Sequence, residues 1–239
     1  MNRAHRQAPA PTWPEYFAQM AEAVTDPALA RFYAAGTPSP EARLDTLRFL
    51  ALDFETTGMD ARRDEIVSIG MLPFDIRSIR PAEGHYWIVR PRRTLRPESI
   101  AYHRITDSQV ARAPDLDEMI DPLLETLAGH VVVVHYHLIE RPFLDHAVAE
   151  RRGAPCLFPL IDTMELEAAR LRGGRLARLK RWFSGGGDSL RLGDVRARYG
   201  LPAYTGHHAK LDALATAELF LAQVAHHYSP DTPLSALWR

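Results

Sequence analysis

Four consecutive valines, Val131 to Val134, constrain this chain more than any other stretch. A strand with one wet face alternates apolar and polar side chains, so an unbroken β-branched run must be buried on both faces. Helices or further sheet therefore have to cover both sides of it. The next segments meet that demand. Residues 139–153, IERPFLDHAVAERRG, read as a helix closed by Gly153, and PLIDTMELEAARL at 159–171 reads as a short strand entering another helix. Alternation of this kind points to an α/β sheet flanked by helices.

Upstream, three strand-like runs follow one another closely: LRFLALDFE (47–55), EIVSIGMLPFD (65–75) and HYWIVRP (85–91). Their short connections suit an antiparallel meander. SIAYHRIT (99–106) leads into a helix, and DLDEMIDPLLETL (115–127) carries helical spacing. Two more helices follow. SLRLGDVRARYG (189–200) is expected to be capped by Ser189 and stopped by Gly200. The last, over 208–228, has a core stripe of Ala213, Leu214, Ala217, Leu221 and Val224. Before residue 47 the texture changes to short helical patterns at 14–24 and 27–35, then a linker at 36–42. The expected organisation is an N-terminal helical extension (1–46), a main domain (47–228) and a short tail (229–239). The extension could pack on the main domain or bind a protein partner.

Composition narrows the class. A formal net charge of −1 provides no global basic field, so any contact with nucleic acid would have to be local. The single cysteine, Cys156, rules out an intrachain disulfide and a cysteine-based zinc cluster. No run approaches the roughly 20 apolar residues of a membrane span, and the N-terminus lacks the apolar stretch of a secretion signal. The expectation is a cytoplasmic protein with no membrane association. The eleven histidines include two adjacent pairs, but no H-E-x-x-H set, so zinc is not expected.

One feature conflicts with plain core material. The first strand run, FLALDFETTG, places Asp53 and Glu55 two residues apart, hence on one face. The pair could face solvent at the strand end. If partly dry, it needs an arginine or a divalent cation between the two charges. Far along the chain, GHHAKLDA sets His207 five residues ahead of Asp212, at the edge of the packed helical stripe. A histidine there could cap the helix, lie on the surface or serve as a general base.

Taken together these residues resemble the DEDDh 3′–5′ exonucleases, typified by the proofreading epsilon subunit of bacterial replicative polymerase. DFETTG is similar to the family's first motif, VVVVHYHLIERPFL to its second, and HHAKLDA to its H-x-x-x-x-D third. The likeness spans about 47–228 in the family's order. The second motif departs from H-N-x-x-F-D: Tyr136 stands for the asparagine and Glu140 for the aspartate. Glutamate keeps the charge and extends it by about 1.5 Å. Asp145, five residues on, falls on another helix face.

The resemblance implies a ribonuclease H-like mixed sheet flanked by helices. It implies two Mg²⁺ or Mn²⁺ ions on Asp53, Glu55 and Asp212, with Glu140 as the fourth acid and His207 as base. Thr56, Thr57, Gly58 and His103 are the expected substrate contacts. The implied reaction is hydrolysis of terminal phosphodiesters at 3′ ends of single-stranded DNA or RNA, DNA favoured, releasing nucleoside 5′-monophosphates. Rival readings are a catalytically silent nucleic-acid-binding module of the same fold and an RNA-trimming exonuclease. RLRGGRLARLKR (170–181) would be either a basic helix face or a phosphate-binding patch, with SGGGD (184–188) as a flexible connection beside it.

Overall fold

The computed structural model describes residues 11–93, 104–173 and 189–238. At its centre lies a five-stranded sheet in the order β3-β2-β1-β4-β5. The strands are β1 Phe49–Thr56, β2 Ile66–Phe74, β3 His85–Ile88, β4 Val131–Val134 and β5 Leu160–Asp162. The first three form the expected antiparallel meander. β4 joins β1, and β5 joins β4, in parallel, each after a helical crossover as parallel pairing requires.

The helices are α1 Trp13–Ala23, α2 Pro27–Ala34, α3 Asp107–Val110, α4 Leu116–Leu127, α5 Glu140–Arg152, α6 Thr163–Gly173, α7 Leu192–Arg198 and α8 Ala209–His227. They cover both faces of the sheet, and the valine run shows why. Val132 and Val134 enter one hydrophobic cluster, with α1, α2, α4 and α5; Val131 and Val133 enter the other, with α8. β1 alternates in the same way: Leu50, Leu52 and Phe54 face the first cluster, Phe49 and Ala51 the second. The stripe on α8 differs from its expected composition. Ala213, Ala217, Phe220 and Val224 are buried, whereas Leu214 and Leu221 are only partly so.

Local chemistry sets the helix ends. Asp26 accepts hydrogen bonds from the amides of Ala28 and Leu29 ahead of α2, with Pro27 opening the helix. Gly153 ends α5 at φ 73°, and Gly200 follows α7 at φ 68°. Ser189, however, does not cap α7. The chain is still extended at Arg191, which takes the cap position, and the Ser189 hydroxyl donates to the Asp194 carboxylate instead.

α1 and α2 pack on the body of the molecule. Phe17, Leu29, Phe32 and Tyr33 are buried in the first cluster, and the Tyr33 hydroxyl donates to Pro155 O at 2.8 Å. Residues 40–45 then pair with the C-terminal segment. Leu44 N donates to Thr232 O, Asp45 N to Pro230 O and Leu234 N to Ala42 O. Leu234 and Leu237 are buried beside Leu44 and Phe49 in the second cluster. Among the described residues no helix is long and apolar enough to cross a membrane.

Candidate active site

Strand parity directs the acid pair. Asp53 and Glu55 continue the side of β1 that carries Phe49 and Ala51, the side covered by α8. The first turn of α8 can descend beside them because Gly70, the cross-strand partner of Asp53, has no side chain. A Cβ there would lie 2.1 Å from the backbone carbon of Ala209. Asp212, buried in that turn, therefore arrives next to the pair. One carboxylate oxygen from each of Asp53, Glu55 and Asp212 lies within 4.8 Å of the others.

Asp212 is held on both oxygens. Tyr204 donates its hydroxyl to Oδ1 at 2.6 Å, and the amide of His208 donates to Oδ2 at 2.8 Å. His208 is itself stacked on Tyr86, ring centroids 4.3 Å apart. His207 sits just ahead of α8 at φ 66°, a left-handed conformation that side-chain-bearing residues rarely hold without support. It lines the same cleft as the acids.

Glu140 opens α5. β4 pairs with β1 only along Phe49–Ala51, so the chain beyond Ala51 has no strand neighbour on that side. Glu140 is only 2% exposed, and its Oε2 has no hydrogen-bond partner. Burial raises its pKa, with the Asp162 and Glu55 charges adding to the effect and the backbone amides of Glu140 and Phe54 opposing it. Asp53 is pushed well above the usual carboxylate range by burial, then by Asp212, Glu140 and Glu55. Burial and Asp212 lift Glu55 to about 8. Among the described residues no Lys, Arg or His pairs with any of the four acids.

Those properties fit a hard divalent cation. The donors are all carboxylate oxygens, their mutual repulsion is uncompensated, and one buried oxygen lacks any partner. A second group, His137, Asp162 and Glu165, is also close enough to ligate, yet its chemistry differs. Asp162 Oδ1 accepts from the amides of Tyr136 and Met164; Oδ2 accepts from the amide of His137 and contacts its ring at 2.8 Å. Burial alone would raise the Asp162 pKa, but these donors lower it. Its lone pairs are shared between the first turn of α6 and the β4–α5 turn, where Tyr136 lies at φ 88°. Asparagine tolerates that region well; here the carboxylate of Asp162 fixes the turn with tyrosine in its place.

The cleft above the acids has a volume of about 780 Å³, and its lining includes Met59, His135, Tyr136, Arg191, Tyr204 and His207. His135 contacts Thr163 Oγ1 and Leu190 O, and burial lowers its pKa. The hydroxyls of the TTG turn are engaged within the protein. Thr57 is buried, its hydroxyl accepts the Glu65 amide and contacts Asp64, and its own amide donates to Glu65 O. The Thr56 hydroxyl donates to Gly58 O. A Cβ at Gly58 would meet the Asp64 carboxylate at 2.3 Å, so a side chain there would force Asp64 to move. The turn thus consumes its polar groups internally, while Met59 beyond it faces the cleft. His103, residues 174–181 of the basic run and the SGGGD stretch lie outside the described residues. Asp145 accepts the Cys156 amide at 2.9 Å and takes no place among the four acids.

The sequence reading passed over Tyr204, Gly70, Asp162 and Arg191. Only Tyr204 carries a local hint, an aromatic shortly before an acidic helix start, and that hint is too common to single it out.

Known proteins share this arrangement of chain. Residues 50–220 match the exonuclease family model of RNase T. The DNA polymerase III epsilon subunit of Treponema pallidum (strain Nichols) is 28% identical over 180 residues, 75% of this chain and 77% of that protein. The epsilon subunit of Escherichia coli (strain K12) is 26% identical over 181 residues, 73% of this chain and 70% of that one. Among solved structures, the nuclease domain of 3′hExo, a DEDDh family member bound to rAMP, superposes with a TM-score of 0.59 at 15% identity, covering 75% of this chain and 92% of that domain. E. coli exonuclease I in complex with a dT13 oligonucleotide gives 0.58 at 14% identity, covering 74% of this chain and 41% of that one. The fold is the ribonuclease H-like mixed sheet.

Proposed function

Because this chain belongs to the exonuclease family that its residues 50–220 match, we propose that it removes nucleotides from 3′ ends of single-stranded nucleic acid, DNA favoured, as nucleoside 5′-monophosphates. The observation that carries the reading is the meeting of Asp53, Glu55 and Asp212, uncompensated by any described cation, beneath an open cleft. We assign the exonuclease domain to residues 47–228, with 1–46 as a helical extension open to a protein partner and 229–239 as the tail.

Asp53, Glu55, Asp212 and Glu140 would hold two divalent ions, Mg²⁺ or Mn²⁺. When bound, such ions acidify water and stabilise charge on the phosphoryl oxygens. The protein contributes the rest. His207 takes the proton of the attacking water on an imidazole nitrogen. Arg191 faces the cleft and offers a guanidinium to the substrate phosphates, a contact without base preference. Met59 and Tyr136 supply the apolar walls against which a terminal base can stack.

The test uses 5′-labelled single-stranded DNA and RNA with Mg²⁺ or Mn²⁺. The wild type should produce a ladder receding from the 3′ end. Asp53→Ala and His207→Ala should each lower the rate by at least about 10²-fold, the scale of a lost base or metal site. Intact substrate under every metal condition would instead favour a binding module. A ladder on RNA alone would move the substrate assignment to RNA trimming.

A further inference from the structure

Of Asp53, Glu55, Glu140 and Asp212, only Asp212 accepts a hydrogen bond from a side chain among the described residues. Tyr204 reaches Oδ1 at 2.6 Å while the His208 amide reaches Oδ2, so the plane of the carboxylate is fixed with a lone pair still available on each oxygen. Asp53 and Glu55 each bring a carboxylate oxygen within 4.8 Å of one of its own, and like charges there disfavour one another. Without the tyrosine hydroxyl, rotation away from that repulsion would be the easy response of the side chain.

Tyr204 belongs to a loop, yet it is firmly braced. The guanidinium of Arg196 lies over its ring, 5.0 Å from the centroid. Arg196 is 3% exposed and anchored three ways: to Ala215 O at 2.8 Å, to Pro202 O at 3.1 Å and to the Glu218 carboxylate at 2.7 Å. Ala215 and Glu218 lie on α8, the helix that carries Asp212. The support is therefore a closed circuit: α8 holds Arg196, Arg196 holds Tyr204, and Tyr204 orients the acid one turn earlier on α8.

We propose that Tyr204, braced by Arg196, is a positioning residue that pre-sets the Asp212 carboxylate for a divalent cation. The inference rests on the reading of Asp53, Glu55 and Asp212 as a cation site. Partners of this kind, one shell outside the ligands, commonly change metal affinity by about 10–100-fold.

The full-length Tyr204→Phe protein tests it, with Mn²⁺ binding measured by calorimetry, the metal-free melting temperature, and hydrolysis of a single-stranded oligonucleotide. The variant keeps the ring under Arg196, so its metal-free melting temperature should stay close to wild type. Its Mn²⁺ Kd should weaken by about tenfold or more. The Mg²⁺ concentration for half-maximal activity should rise in parallel, while KM for oligonucleotide at saturating metal stays within about twofold. Arg196→Lys, which keeps the charge but loses the planar face, should shift Mn²⁺ affinity in the same direction by less. Unchanged Mn²⁺ affinity in folded Tyr204→Phe overturns the proposal, as does a raised KM with Mn²⁺ affinity intact, which would place the hydroxyl on the substrate. A wild-type protein that binds no Mn²⁺ would sink the cation site itself.

Discussion

Tyr136 holds a left-handed backbone conformation that bulky side chains disfavour and asparagine accepts more readily. Its amide and that of His137 are captured by one carboxylate, Asp162, and this capture keeps the strained turn in place. Tyr136→Asn should relieve the strain without touching Asp162. A stabilisation of about 1 kcal/mol, read as a higher denaturation midpoint with unchanged slope, is expected; a lower midpoint would show that the tyrosine ring contributes more than its backbone costs. Asp53, Glu55, His207 and Asp212 were legible in the sequence because short local patterns carry them. Tyr136 and Glu140 were legible only as departures, and their accommodation by Asp162 and by the open side of β1 had to be seen. Tyr204 and Arg191 reach the cleft only through folding, which no local pattern announces.

At the scale of elements, the site depends on how near α8 comes to the sheet. Gly70 sets that distance, since its hydrogen occupies the space where any side chain would strike the backbone of Ala209. Gly70→Ala should push the first turn of α8 outward, costing about 1–3 kcal/mol or more by overpacking and separating Asp212 from Asp53. Both a lower melting temperature and a drop in activity are expected; retention of both would mean that α8 adjusts without moving Asp212. The meander, the buried valine strand and the long last helix could be read from periodicity. Gly70 could not, because a glycine within a strand pattern reports a close approach without naming what approaches. The cap of α7 escapes sequence reading for a related reason: Ser189 is a good capping residue in the wrong place, two positions before Arg191, where the cap lies.

The molecule as a whole carries the electrostatic cost of its cleft. Glu55 in the folded protein keeps its proton up to about pH 8, whereas the unfolded chain releases it near 4.5. Between those values the folded state binds more protons, so the metal-free protein loses stability as pH rises through the window. A divalent ion replaces the protons and reverses the trend: Mn²⁺ should raise the melting temperature more at about pH 8 than at about pH 6. Scanning calorimetry with chelator and with Mn²⁺ checks this, and a metal-free melting temperature that climbs across the window would contradict it. The C-terminal segment matters on the same scale. Removing residues 229–239 would strip Leu234 and Leu237 from the second cluster, each worth about 1.5–3 kcal/mol of burial. A loss of several kcal/mol, out of a typical margin of about 5–15, should appear in chemical denaturation; a shortened chain as stable as the original would show the tail to be dispensable. The pairing of residues 40–45 with 230–234 ties the two flanks of the domain to each other beside the second cluster. A cut in either partner of that pairing would therefore loosen the packing around Phe49, at the end of β1 away from Asp53 and Glu55.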